Sequence, residues 1–328
     1  MSMPAPSTDA RVSVLLITYN HEGYVEKAID SVLMQEVDFD FDIVVADDGS
    51  SDGTLSLIRE IADQNPSVSF RFLRCDENVG ITKNYQRAFA ACDAEYIAVL
   101  EGDDYWVSPK KLAQQFRFLE KHRECDLCSV NYYVYEEGRA QFTPRVPPEQ
   151  GHVVLGAREL ISDNLVGNFS TCMYRSRALK QLPDALFEAR SYDWAVNICV
   201  ARYGLIGFLR EPMSVYRIHD RGAWSLLSHV QKLKAQLELI PTYDKITDGV
   251  FHYEFAVLAE RLSKVIADAQ GAQVVHAQSA ALEVMSLPPQ RHRVLDLVPP
   301  FMITVGRQLL PPFLKRHLIR LVFGGKGE

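Results

Sequence analysis

The chain has 328 residues, 47% of them hydrophobic, and 35 Lys and Arg against 42 Asp and Glu give it a formal net charge of -7. That much apolar material can fill a substantial core, so disorder is not the leading reading, and an acidic balance argues against a protein built to grip a nucleic-acid backbone. Six scattered cysteines form no dense disulfide framework and fit a reducing cytoplasm. No uninterrupted apolar run approaches the roughly 18 to 20 residues of a membrane span.

Residues 1–10 are polar and Pro-containing, without the charged start and apolar stretch of a signal peptide, and are expected to be a disordered N-terminal segment. From Val12 to about Arg123 a strand-then-helix alternation predicts an α/β fold with a mostly parallel sheet. Val12 to Thr18 reads as a buried strand. Glu22 to Gln35 follows with Val25, Ala28, Ile29, Val32 and Leu33 at helical spacing. Phe41 to Ala46 is a second strand, running into Asp47-Asp48-Gly49-Ser50-Ser51-Asp52-Gly53-Thr54, a cluster of turn formers ahead of a helix from Leu55. Ser69 to Arg74 and Tyr96 to Leu100 are further strands flanking a helix over Ile81 to Ala91. The last of these strands stops at Glu101-Gly102-Asp103-Asp104. Ser108-Pro109 is expected to cap and begin another helix.

Leu127 to Tyr135 reads as a strand, and its apolar setting explains Cys125 and Cys128 better than half of a zinc site does, since no second Cys or His pair stands at a suitable distance. A Pro- and charge-rich loop over Gln141 to Gly151, a mixed stretch, and a helix near Asp193 to Tyr203 come next. Beyond Ala223 the chain reads as mainly helical to about Val284.

Ligands of open parallel sheets sit beyond the carboxyl ends of the strands, so the polar segments after strands one, two and four are expected to line one cleft. Asp47 and Asp48 after one strand and Glu101, Asp103 and Asp104 after another repel each other when ionised, and a hard divalent ion bridging to a diphosphate relieves that repulsion.

The ordered set Val12-Ser13-Val14-Leu15-Leu16-Ile17-Thr18-Tyr19-Asn20, Asp47 to Thr54, Asn78-Val79-Gly80 and Glu101-Gly102-Asp103-Asp104 resembles the successive motifs of family 2 glycosyltransferases over roughly residues 11–225. The resemblance implies the GT-A fold, an αβα sandwich, and an inverting transfer of sugar from a nucleotide diphosphate sugar, a UDP- or dTDP-sugar, to a hydroxyl. It implies Mn2+ or Mg2+ as cofactor. It assigns donor binding to Thr18, Tyr19, Asn20, Asp47, Asp48, Asn78, Gly80, Lys83, Asn84, Glu101, Gly102 and Asp103. Tyr19 would lie against the base and Asp47 would accept a hydrogen bond from it. Asp103, Asp104 and His219, the last within Tyr216-Arg217-Ile218-His219, are implied as metal ligands, with the two aspartates unranked. Glu101 departs from the Asp usual at its position, which leaves its outer contact open. Ser191-Tyr192-Asp193-Trp194 resembles the segment carrying the general base, assigned to Asp193, while Asn168, Ser170, Thr171 and Trp194 fall on the acceptor side.

The expected organisation is a GT-A domain over 11–225, divided into a nucleotide-binding half at 11–123 and an acceptor half at 124–225, followed by a helical region at 226–328. From residue 284 onward seven Lys and Arg face two acidic residues, a local charge of +5, and Phe313, Leu314, Leu318, Ile319, Leu321, Val322 and Phe323 interleave with Lys315, Arg316 and Arg320. That composition suits a surface of anionic lipid headgroups, or else packing on protein. The expected partners are a nucleotide-sugar donor and a glycan or lipid-linked acceptor of cell-surface polysaccharide synthesis, with no nucleic acid and with a homo-oligomer left open. The expected location is the cytoplasm, with peripheral placement on the inner face of the plasma membrane through the tail. A non-catalytic nucleotide-sugar or glycan-binding protein of the same fold is the competing reading.

Overall fold

The computed structural model describes residues 10–75, 77–189, 193–220 and 227–284, with side chains through residue 270. The N-terminal segment before residue 10, Ser191, Tyr192 and the basic tail from residue 285 lie outside the described residues.

Strands β1 (Val12–Thr18), β2 (Phe41–Asp47), β3 (Ser69–Phe72) and β4 (Tyr96–Glu101) alternate with helices α1 (Val25–Leu33), α2 (Thr54–Gln64) and α3 (Ile81–Ala90). They pair in parallel in the order β3-β2-β1-β4. Then come β5 (Tyr105–Trp106), α4 (Lys111–Lys121), β6 (Cys125–Glu136), β7 (Gln141–Pro144), β8 (His152–Leu155) and α5 (Ala157–Ser162). A 3-10 turn at Phe169–Thr171 leads into β9 (Cys172–Arg175), α6 (Ser176–Leu179), α7 (Asp184–Glu188), α8 (Asp193–Ala201) and β10 (Leu205–Ile218). Helices α9 (His229–Ile246) and α10 (His252–Val284) follow.

The sheet continues from β4 through β9, β6 and β10 to β5, with β9 antiparallel to both of its neighbours and β6 parallel to β10. Alternation within β1 explains the two buried faces. Val12, Val14 and Leu16 join Val25 and Ile29 of α1, Ile58 of α2 and Leu112 of α4 in one apolar cluster. Ser13, Leu15 and Ile17 are buried on the opposite face, where α3 lies over β1 and β2. This is the αβα sandwich expected, with helices at the C-terminal end.

Several elements differ from the sequence reading. Helix α4 begins at Lys111, because the Ser108 hydroxyl closes a local turn onto the Lys110 N–H and leaves Pro109 outside the helix. The Pro-rich segment contributes β7 and β8, hydrogen-bonded to β6 and β10. Strand β10 was not foreseen; its register shifts around Pro212, which sits at an irregularity where its missing N–H is tolerated.

The described chain forms two compact units. One contains every strand together with Pro241–Glu254; the other is helical, comprising Leu227–Ile240 and the residues from Phe255 onward. Among the described residues no helix is long and apolar enough to cross a membrane.

Candidate active site

Parallel registration brings the ends of three strands side by side. Thr18 pairs with Asp47, and Ile17 with Glu101. The Asp48 N–H donates to the Thr18 carbonyl at 2.9 Å, and the Gly102 N–H to the Ile17 carbonyl at 2.8 Å. Glycine is needed at position 102. A Cβ there would stand 2.8 Å from His21 Nδ1 and 2.9 Å from Thr18 Oγ1.

The two aspartates after Gly102 are held differently. Asp104 is 1% exposed, and both its oxygens are engaged: Oδ2 accepts the Ser170 hydroxyl at 2.6 Å and Oδ1 accepts the Arg217 backbone N–H at 2.9 Å. Asp103 instead presents Oδ2 to imidazoles, 3.1 Å from His219 Nε2 and 3.8 Å from His21 Nε2. The expected pair of metal ligands thus separates into Asp103, open to the cleft, and Asp104, whose oxygens fasten the 3-10 turn and the end of β10 to the β4 loop.

Electrostatics reinforce the division. Burial pushes the Asp104 carboxyl well above the carboxylate range, and the neighbouring Asp103 charge adds to this. Burial works against ionised Asp103 as well, but the His219 hydrogen bond and the two imidazole charges outweigh it and hold its carboxyl below the ordinary value. Glu101 is raised well above its ordinary range by burial and by the charges of Asp103, Asp104 and Asp193; its Oε1 accepts the Tyr85 hydroxyl at 3.1 Å. The fold therefore keeps Asp103 as the anion of this cluster.

On the donor side, Tyr19 is 44% exposed and offers a free aromatic face at the end of β1. Asn20 adopts a left-handed φ of 55°, pinned by its N–H to Ser50 Oγ at 2.8 Å and by its Oδ1, which accepts the Ser51 N–H at 2.8 Å. Asp47 Oδ2 accepts the Ser50 N–H at 2.9 Å, so this carboxylate shapes the Asp47–Thr54 turn. Asp48 is occupied in the same sense: its oxygens accept the Val79 N–H at 2.9 Å and the Gly80 N–H at 3.0 Å, tying the Asn78–Gly80 loop to β2. Asn78 Oδ1 accepts the Gly80 N–H, whose residue has a φ of 85°. Lys83 forms an ion pair with Glu188. Asn84 is buried, donating to the Ala46 carbonyl and orienting Arg87, which donates to the Asp47 carbonyl. Arg87 escaped the sequence reading.

On the opposite wall, the Ser170 hydroxyl also accepts the Glu101 N–H at 3.1 Å, and the Ser170 carbonyl accepts the Trp106 indole N–H at 2.8 Å. The Thr171 hydroxyl bonds to the Asn168 carbonyl and Ser129, so it serves the turn. The Asn168 side chain is buried with neither its oxygen nor its nitrogen hydrogen-bonded to protein, a condition that costs roughly 1–3 kcal/mol unless a ligand or water relieves it. Trp194 packs inward, its indole N–H on the Leu160 carbonyl and its ring edge-on to Tyr243, which removes it from the acceptor surface. Asp193 begins α8 half-buried, and burial raises its carboxyl to about 7, against the Trp194 N–H that favours the charged form.

One ionised Asp oxygen beside an imidazole nitrogen is a suitable partial donor set for manganese, which takes oxygen and nitrogen ligands together and fills its shell with phosphate oxygens and water. Among the described residues no three His, Cys, Asp or Glu side chains are already grouped around one metal-sized point. The set fits a metal completed by a diphosphate.

Sequence reasoning missed His21, Tyr24 and Arg217. Tyr24 stacks on His219 with ring centroids 4.7 Å apart, and the Arg217 guanidinium lies over the Tyr24 ring while donating to the Asp103 carbonyl at 2.8 Å. Only Arg217 carried a signal, lying within the Tyr216-Arg217-Ile218-His219 segment already singled out.

A GT-A sandwich with carboxylates gathered at its strand ends defines the class, and sequence comparison defines the family. The Glycosyl transferase family 2 profile matches residues 13–182, and the chain belongs to that family. An uncharacterized protein of Mycobacterium tuberculosis is 32% identical over 65% of this chain, and the match spans 60% of the relative's length. An uncharacterized glycosyltransferase of Methanocaldococcus jannaschii is 28% identical over 68% of this chain and 75% of its own. Among solved structures, S. aureus TarS 1-349 in complex with UDP-GlcNAc superposes with a TM-score of 0.56 at 18% identity, covering 75% of this chain and 73% of that one. The mannosyltransferase PcManGT from Pyrobaculum calidifontis, in complex with GDP-Man and Mn2+, gives a TM-score of 0.54 at 16% identity, covering 99% and 90%.

Proposed function

We propose that the chain is an inverting, metal-dependent glycosyltransferase that moves a sugar from a nucleotide diphosphate donor to an acceptor hydroxyl. The observation that carries this reading is the approach of Asp103 and His219, 116 residues apart in sequence, to 3.1 Å at the strand ends where Asp47 and Glu101 also terminate. The nucleotide-sugar complexes of TarS and PcManGT support it by analogy of fold.

Asp103 and His219 would hold the metal, and the ion supplies positive charge to the departing diphosphate when bound. Tyr19 receives the base and Asp47 the base N–H, while Asp48 keeps the Asn78–Gly80 loop in place beside them. Asp193, with one oxygen on the Trp194 N–H, takes the acceptor hydroxyl proton on its other oxygen. The acceptor oxygen bonds to the anomeric carbon as the bond to the diphosphate oxygen breaks, and the electron pair leaves with the diphosphate. A carboxyl raised to about 7 is a stronger base than an ordinary aspartate and is still about half ionised at neutral pH. Asn168, two residues from Ser170, has an unengaged amide to offer a sugar hydroxyl.

On the same reading, residues 11–225 carry the transfer and 226–328 form an extension whose basic end meets a membrane surface, where a glycan or lipid-linked acceptor is presented. Proton NMR of the product tests the mechanism. Inverted anomeric configuration, with turnover abolished by EDTA and restored by manganese, is expected; retention or indifference to EDTA would refute it.

A further inference from the structure

Three features of the cleft converge on His21, a loop residue between β1 and α1. Its Nε2 lies 3.8 Å from Asp103 Oδ2, the oxygen that His219 Nε2 approaches at 3.1 Å. Its Nδ1 is buried without a hydrogen-bond partner, and so is Thr18 Oγ1. Both of these atoms lie within 3 Å of the point where a Cβ on Gly102 would project, so the absence of that Cβ gives the imidazole its place.

We propose that His21 is a third protein ligand of the divalent ion, converting an Asp–His site into an Asp–His–His site that selects manganese over magnesium. The inference rests on the metal-dependent reading above and goes beyond it by naming a residue and a metal preference.

The geometry is close to what coordination needs. Metal–ligand bonds of about 2.1 Å place adjacent octahedral ligands about 3.0 Å apart. The Asp103–His219 spacing of 3.1 Å already matches that edge, and His21, at 3.8 Å, must approach by about 0.7 Å. A ligating imidazole generally donates its other ring N–H to a neighbouring oxygen, which fixes the tautomer. In His21 the nitrogen left for that role is Nδ1, which is buried and unpartnered in the metal-free fold. A tautomer protonated at Nδ1 leaves the Nε2 lone pair facing Asp103.

The backbone is also committed to this direction. Asn20 holds a left-handed φ of 55°, pinned by Ser50 and Ser51, and it turns the next residue back towards the β4 loop. The Tyr24 ring packs against both imidazoles, 6.4 Å from His21 edge-on and 4.7 Å from His219. Two imidazoles and one carboxylate make a nitrogen-rich set, which favours manganese over magnesium, an ion that prefers oxygen.

The test is electron spin-echo envelope modulation of Mn2+ bound to the full chain with UDP, using protein labelled with nitrogen-15 histidine. Modulation from two directly coordinated histidine nitrogens is expected in the unsubstituted protein, and one in either His21→Ala or His219→Ala. His21→Asn, too short to reach the ion, is a second variant should His21→Ala fold poorly. Calorimetry with Mn2+ and UDP should show about tenfold weaker manganese binding in the His21 variants, with magnesium binding changed less than about threefold. A single coordinated nitrogen in the unsubstituted protein, a count unchanged by either His21 variant, or no manganese bound with UDP would each overturn the assignment. Sugar transfer persisting in EDTA would leave glycosyl transfer standing while His21 falls. Two coordinated nitrogens without transfer from any donor would do the reverse.

Discussion

Replacing Asp193 with asparagine should make the protein more stable and nearly inactive at once. In the fold its carboxyl is raised from 3.8 to about 7, so the native state binds the proton more tightly than the unfolded chain does. Between pH 4 and 7 the native state then carries more protons, and stability falls as pH rises through that window, reaching its full penalty above pH 7. At about 1.4 kcal/mol per pH unit the whole shift would cost about 4 kcal/mol, and partial exposure of the side chain reduces this to about 2 kcal/mol. Asparagine keeps an oxygen for the Trp194 N–H and removes the charge. Thermal unfolding at pH 8 should therefore show the variant about 4–8 °C higher, with the gain vanishing near pH 4. Transfer should fall by about 10²- to 10⁴-fold while donor affinity is retained. In the unsubstituted protein, kcat for transfer should rise about tenfold per pH unit below 7 and level off above it. A variant that transfers at the original rate refutes the base assignment, and one that is no more stable at pH 8 refutes the burial argument.

Ser170→Ala removes the hydroxyl shared by Asp104 and the Glu101 N–H. It should lower stability in urea by about 1–3 kcal/mol, and an unchanged midpoint would show that the link contributes nothing. Gly102→Ala places a methyl against His21 Nδ1 and Thr18 Oγ1 and should weaken manganese-dependent donor binding by about tenfold in a folded protein, as read by calorimetry. Wild-type affinity in that variant would mean the crowding is relieved without effect. Deleting the residues after Pro312 should abolish binding to vesicles of anionic lipid without changing transfer to a soluble acceptor; unchanged vesicle binding would remove the membrane proposal.

The first half of the fold was legible because each strand there is an apolar run and each helix shows its stripe at helical spacing. Val12–Thr18 reads directly as β1, and Val25, Ile29 and Val32 mark the buried side of α1. The second half was legible only in part: β6, α8 and the helical character of α9 and α10 were read, whereas β7 to β10 were not. Strand β9 is only four residues long and passes straight into α6, while β10 carries Arg210, Glu211 and Pro212 in mid-course, which break its alternation. The site follows the same division. The carboxylates after β2 and β4 stand out in the sequence, but which aspartate is open depends on Ser170 and Arg217, 66 and 113 residues from Asp104. His21 leaves no local mark at all: a single histidine in a turn acquires its direction from the left-handed Asn20 and the space above Gly102. Trp194 misled because its place beside Asp193 in sequence conceals that its indole turns inward to Leu160.

Strand-end groups that hold a metal and, through it, a nucleotide diphosphate sugar must gain stability from the two together. Thermal unfolding of the full chain across a panel of nucleotide sugars, with and without manganese, tests this most directly. A donor at 100 times its dissociation constant stabilises by about 2.7 kcal/mol, an upward shift of roughly 5–10 °C. Such a shift should occur with manganese and disappear in Asp103→Ala. No metal-dependent shift from any donor, or a shift that Asp103→Ala leaves intact, would contradict the account.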